Sequence, residues 1–172
     1  MKRTLIVLFA LPLAVGTARA DDAARTLVLT RLGGMEDAPS AADFADIPSA
    51  STELLAIAKD SSVPHSRRGN AIVALGWFPV DAHRDYLAGL LKDTLADPFL
   101  RKKAVFGLAN GWGDSALPTI ELALTSPDVQ LRMAAVHALA RIGSKTALGL
   151  LRARLETESD PAVRESLSAA LK

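Results

Sequence analysis

Residues 97–108 read DPFLRKKAVFGL and residues 128–139 read DVQLRMAAVHAL, 31 positions apart. DPAVRESLSAAL at 160–171 follows 32 positions later. Upstream, RGNAIVAL at 68–75 lies 33 positions before RKKAVFGL at 101–108, with Pro64 where the other copies carry aspartate. Self-similarity at a fixed period of about thirty residues marks a stack of supersecondary units, none of which buries its apolar face alone.

Each column of the alignment has a physical reason. Asp97, Asp128 and Asp160 fall where a helix needs an N-cap, and their charge suits the positive helix end. Pro98 and Pro161 follow at the first helical position, where a missing N–H costs nothing. Leu100, Leu131 and Val163 open a buried stripe. Ala71, Ala104 and Ala135 continue it, followed four residues later by Leu75, Leu108 and Leu139. Ala74, Gly107 and Ala138 are small enough for neighbouring helices to approach closely. A second helix follows in each copy: near Tyr86, Leu87 and Leu90; then Ala116, Leu117, Ile120 and Leu124; then Ala147, Leu148, Leu151 and Leu155. Gly111, Gly113 and Gly143 break the chain between helices.

The column Asp-x-x-(Leu/Val)-Arg-x-x-Ala-x-x-(Ala/Gly)-Leu resembles the HEAT family in its short bacterial form, similar to the repeats of phycobilisome-lyase-like proteins. The resemblance covers about residues 62–172. It implies an all-α fold, a right-handed α-α superhelix of about four helix pairs. It also implies a structural role for the pairs Asp97/Arg101, Asp128/Arg132 and Asp160/Arg164, which stabilise the stack in that family. The last copy stops at Lys172 after one helix and reads as a C-terminal cap. Residues 21–61 are less regular and read as a worn N-terminal capping repeat. Helices are expected over Ala23–Arg31 and Ser51–Lys59, with a short one near Ala41–Ala45.

Residues 1–20 read as a cleavable signal peptide. Lys2 and Arg3 precede an apolar block of eleven residues, Leu5 to Val15, too short for the roughly 20 residues of a membrane span. Ala18 and Ala20 form the small-x-small pattern, so cleavage is expected after Ala20, with a periplasmic or secreted product. The chain has no cysteine, which removes disulfides and a lipidated cysteine from consideration. The full chain has formal charge +1, with 20 Lys+Arg and 19 Asp+Glu. Cleavage removes Lys2, Arg3 and Arg19, leaving 17 basic against 19 acidic side chains, a charge of −2. A nucleic-acid partner is therefore not expected, nor membrane insertion after cleavage.

A catalytic constellation is not legible. The histidines are His65, His83 and His137, without metal-ligand spacing, and they read as solvated loop residues. No nucleophile elbow or phosphate loop is found. The expectation is a non-enzymatic chain with no metal and no cofactor. Two surfaces remain. At about 100° per residue, His137 lies about 200° from the buried Ala135 and is expected to face outward. The same column holds Phe106 and Val73, so an apolar ridge Val73–Phe106–His137 is expected, flanked by Lys102 and Met133. The second helices present a neutral surface that includes Leu122 and Leu150 and suits a peptide or helix. Trp77, Phe78 and Trp112 stand near helix–helix turns and are candidate anchors. The reading is an exported scaffold that binds a protein or peptide partner and is itself a monomer. The alternatives are a lyase- or chaperone-like protein handling a chromophore, or a structural part of an envelope assembly.

Overall fold

The structure is a computed structural model and describes residues 15–33 and 40–172. The basic start and most of the apolar block of the expected leader lie outside the described residues, as does Gly34. Nine α-helices are described: α1 Val15–Gly33, α2 Ala50–Lys59, α3 His65–Ala74, α4 Asp81–Lys92, α5 Pro98–Trp112, α6 Leu117–Leu124, α7 Val129–Ile142, α8 Lys145–Thr157 and α9 Pro161–Ala170. Short 3-10 turns cover Ala41–Phe44, Leu75–Trp77 and Gly113–Ala116. Among the described residues there is no strand.

The odd-numbered helices pack side by side in one layer, α1 on α3, α3 on α5, α5 on α7 and α7 on α9. The even-numbered helices form the second layer, with α4 on α6 and α6 on α8. The result is an all-α superhelix of four helix pairs and a closing single helix. The segment expected to be irregular supplies a full pair, α1 and α2, and its Val28, Leu32, Leu54 and Ile57 join one core that runs on to Leu167.

The aspartate column caps as its chemistry requires. Asp97 accepts from the amides of Phe99 and Leu100, Asp128 from Gln130 and Leu131, and Asp160 from Ala162 and Val163. Pro64 caps α3 with no side-chain bond. The arginine column ties each odd helix to the chain that precedes it. Arg68 donates to the Ala58 carbonyl, Arg101 to Leu91, Arg132 to Ser126 and Pro127, and Arg164 to Leu155 and Glu158. Most of these are orphan carbonyls at helix ends, where the helix dipole also favours a cation.

Among the described residues, only the Arg132 site of this column adds a carboxylate. Glu158 is buried, its side chain 1% exposed. It accepts from Arg132 Nε at 2.9 Å and Nη2 at 3.1 Å, and from Arg154 at 2.7 Å. The amides of Ser159 and Asp160 complete its shell at 3.1 and 2.9 Å. Burial works to raise its pKa, but the Asp160 amide and the two guanidiniums outweigh burial and hold it at about 2.

Backbones touch where α3 meets α5. A Cβ on Gly107 would lie 2.7 Å from the Ile72 carbonyl oxygen, and one on Gly76 would lie 2.4 Å from that of Gly107. Neither obstacle is a flexible side chain, so the helices themselves would have to separate. Gly107→Ala is therefore expected to destabilise by about 1–3 kcal/mol through overpacking, despite the helix propensity it gains. Gly89, within α4, has nothing within 4 Å of its would-be Cβ. There the same change is expected to stabilise by up to about 1 kcal/mol. Urea unfolding of the two variants checks both signs.

Candidate partner-binding surface

The odd-helix layer carries a groove whose walls follow helical spacing. From α5 come Phe99, Lys102, Lys103 and Phe106; from α7 come Gln130, Met133, Ala134 and His137. Both sets recur at i, i+3, i+4 and i+7, which puts each on one helix face. Together they line a cleft of about 310 Å³. Met133 and His137 also border a second cleft, of about 500 Å³, between α7 and α9. Its other side is Ala162, Glu165, Ser166, Ala169 and Ala170. The two clefts thus lie on either side of α7 and share Met133 and His137 as a common border.

His137 is exposed on that ridge, its Nε2 3.2 Å from the Ser166 hydroxyl. Phe106 is half-buried and packs against the core. The Arg141 guanidinium lies 6.0 Å from its ring centre and donates to the Phe106 carbonyl and the Asn110 side chain. Val73, expected as the third member of the ridge, is instead buried at 5% exposure. Its helix α3 is packed on by α1 as well as by α5. The Asn70 amide donates to the Leu32 carbonyl of α1 at 3.1 Å, and the column that is open on α7 is buried on α3.

The aromatic candidates divide. Phe78 and Trp112 pack against the core, and Phe78 meets Phe44 edge-on at 6.3 Å. Trp77 is 39% exposed. A Cβ on Gly111 would lie 2.7 Å from the Gly76 carbonyl oxygen, so the segments carrying Trp77 and Trp112 are neighbours. On the even-helix layer, Leu122 is 51% exposed, and Leu150 borders a small cleft of about 180 Å³ with Leu124, Ala153 and Arg154. Leu122 does not line that cleft.

The histidines were expected to be solvated, and His83 is not: it is 3% exposed on α4. Its Nδ1 is 2.7 Å from the Phe78 carbonyl oxygen and its Nε2 3.5 Å from the Ser51 hydroxyl. Its neighbours on α4, Ala82 and Arg84, are exposed, so His83 points inward as the first residue of the stripe that continues at Leu87. His65 begins α3, 3.0 Å from Asp97 and stacked at 4.6 Å on Phe99. Among the described residues no group of three or more His, Asp or Glu is placed to hold a metal ion.

Phe99 escaped the sequence reading, although it stands seven residues before Phe106. Its ring lies over Gly69, where a Cβ would come within 2.4 Å. The Lys103 ammonium sits 5.2 Å from the Phe99 ring centre. Burial, and then the charge of Lys102 beside it, lower the pKa of Lys103.

Residues 93–172 match the family model of HEAT repeats. No curated protein matches the chain in sequence. Among solved structures, the complex of CpcE and CpcF of phycocyanin lyase from Nostoc sp. PCC7120 is similar, with a TM-score of 0.58 and 17% identity. The match covers 88% of this chain and 100% of that one. At this identity the likeness is one of fold. The aspartate-capped, arginine-tied units of residues 93–172 are thus the part of the chain that matches HEAT repeats.

Proposed function

We propose that this chain is an exported, non-catalytic HEAT-repeat module that binds a protein or peptide partner across its odd-helix layer. The observation that carries the reading is the pair of clefts flanking α7, bordered by α5 and α9 and lined by apolar and polar side chains together. Such a pair fits an elongated segment better than a compact small molecule, which is held in an enclosed pocket. A photo-crosslinking residue at Gln130, used in the native envelope, is expected to capture a partner. Recovery of nothing above background would count against the module.

Export is part of the same proposal. Helix α1 runs through the Ala20–Asp21 bond. The docking contacts described for it include Val28, Leu32 and the Arg25–Asp60 ion pair at 2.6 Å, which come after that bond. Cleavage therefore leaves the first helix pair its packing. N-terminal sequencing of the product from the envelope fraction is expected to begin at Asp21, and a product that retains Met1 there would refute the cut.

A second reading is favoured by the likeness to the phycocyanin lyase complex. A lyase- or chaperone-like protein would handle a chromophore or a modified partner. Bilins and haem added to the purified protein separate the two readings. A shifted absorption band supports the second, and an unchanged spectrum removes it.

A further inference from the structure

We propose that the groove between α5 and α7 receives an acidic, apolar segment of a protein partner, whose opposite, basic end lies over Glu165 on α9. This inference rests on the binding-module reading and adds the chemistry of the occupant. The first cleft contains two lysines and no carboxylate. Neither Lys102 nor Lys103 forms an ion pair with the described residues, although acidic side chains outnumber basic ones after Ala20. Lys103 is half-buried, and its ammonium rests on the face of Phe99 instead of on a carboxylate. A partly desolvated cation of this kind gains more from an incoming carboxylate than a fully hydrated one does.

The second cleft reverses the sign. Glu165 is its only charged lining residue, and it too has no ion pair among the described residues. Across α7 the lining thus changes from positive on α5 to negative on α9. Adjacent packed helices stand about 9 Å apart and α7 lies between α5 and α9, so the two charged ends are about 18 Å apart, about five residues of extended chain. The apolar lining changes in the same direction, from Phe99, Phe106 and Met133 to Ala140, Ala162 and Ala169. Large apolar side chains therefore belong beside the acidic end of the segment and small ones beside its basic end. A nucleic acid or an anionic membrane would meet Glu165 and only two lysines, which disfavours either as the occupant.

Fluorescence polarisation with labelled peptides tests this. The probes are ELEFGAAK, its reversed-order counterpart KAAGFELE, and the charge-swapped KLKFGAAE. One of the two acidic peptides is expected to bind about tenfold more tightly than KLKFGAAE at low salt, with the gap closing as salt rises. The Lys102→Glu/Lys103→Glu variant, checked for unchanged thermal unfolding, is expected to prefer KLKFGAAE. Equal binding of acidic and charge-swapped peptides overturns the inference, as does a preference that survives the charge swap. Binding of phosphatidylglycerol vesicles in place of the peptides overturns it too, as does a dimer that the double variant dissolves. If the Gln130 crosslinker captures a protein equally well from the double variant, the binding module stands and the acidic segment falls.

Discussion

Glu158→Ala is expected to destabilise the protein by about 3–5 kcal/mol, the cost of removing one partner from a buried ion pair. The arrangement explains the size. Arg132 is 7% exposed and would be left with only the Ser126 and Pro127 carbonyls. Arg154 would lose its acceptor, and the amides of Ser159 and Asp160 would lose theirs at the entrance to α9. One carboxylate therefore joins three things: the start of α7, the end of α8 and the turn that caps α9. Arg132→Met combined with Glu158→Ala is expected to cost less than the two single changes summed, because the buried Arg132 guanidinium is no longer left unpaired and only the more exposed Arg154 loses its partner. Urea unfolding of the four proteins checks this cycle.

Acid exposes the same group. Glu158 titrates at about 2 in the folded protein, against roughly 4.3 for a free glutamate. A depressed pKa contributes stability that is present in full above the unfolded value. It is lost as pH falls through the folded value. The stability gap between the parent and Glu158→Gln is thus expected to be largest near neutrality and to narrow between about pH 4.5 and 2. A gap independent of pH over that range would mean the carboxylate is not ionised in the fold.

Glu158 also shows where reading from sequence stops. Periodicity finds what every copy repeats. The caps, the arginines and the small residues recur, so the helical phase and the stack were legible. Glu158 stands two residues before Asp160, and the matching positions before Asp128 and Asp97 hold Ser126 and Leu95. Ser126 is buried, whereas Leu95 is 95% exposed at a turn. A column that differs in each copy carries no repeat signal, however much it contributes to one of them. Val73 failed for the opposite reason. Its column was regular, but the position is buried on α3 and open on α7, a difference between copies that the repeat pattern does not carry. The groove was half legible: Phe106 and His137 follow from helical phase, whereas Phe99 and Lys103 gain their place from a neighbouring glycine and a ring face.

Leu139→Ala is expected to cost about 2–5 kcal/mol, from lost transfer energy and the cavity left behind. Leu139 is 0% exposed on α7, which packs against α5, α6, α8 and α9. In a stack of this kind each unit stabilises its neighbours, so a defect in α7 weakens the contact on both sides. Leu171 occupies the same column one repeat later and is only half-buried, following α9, which packs on α7 and α8. Leu171→Ala should therefore cost clearly less than Leu139→Ala, although the two stand in one sequence column. Leu122 supplies the third point. At 51% exposure its truncation is expected to stay within about 0.5 kcal/mol. If urea unfolding returned similar losses at Leu139 and Leu171, stability would not be passed between neighbouring repeats as the two-layer packing requires. The graded series Leu139, Leu171, Leu122 tests the stack itself, beyond the burial of any one residue.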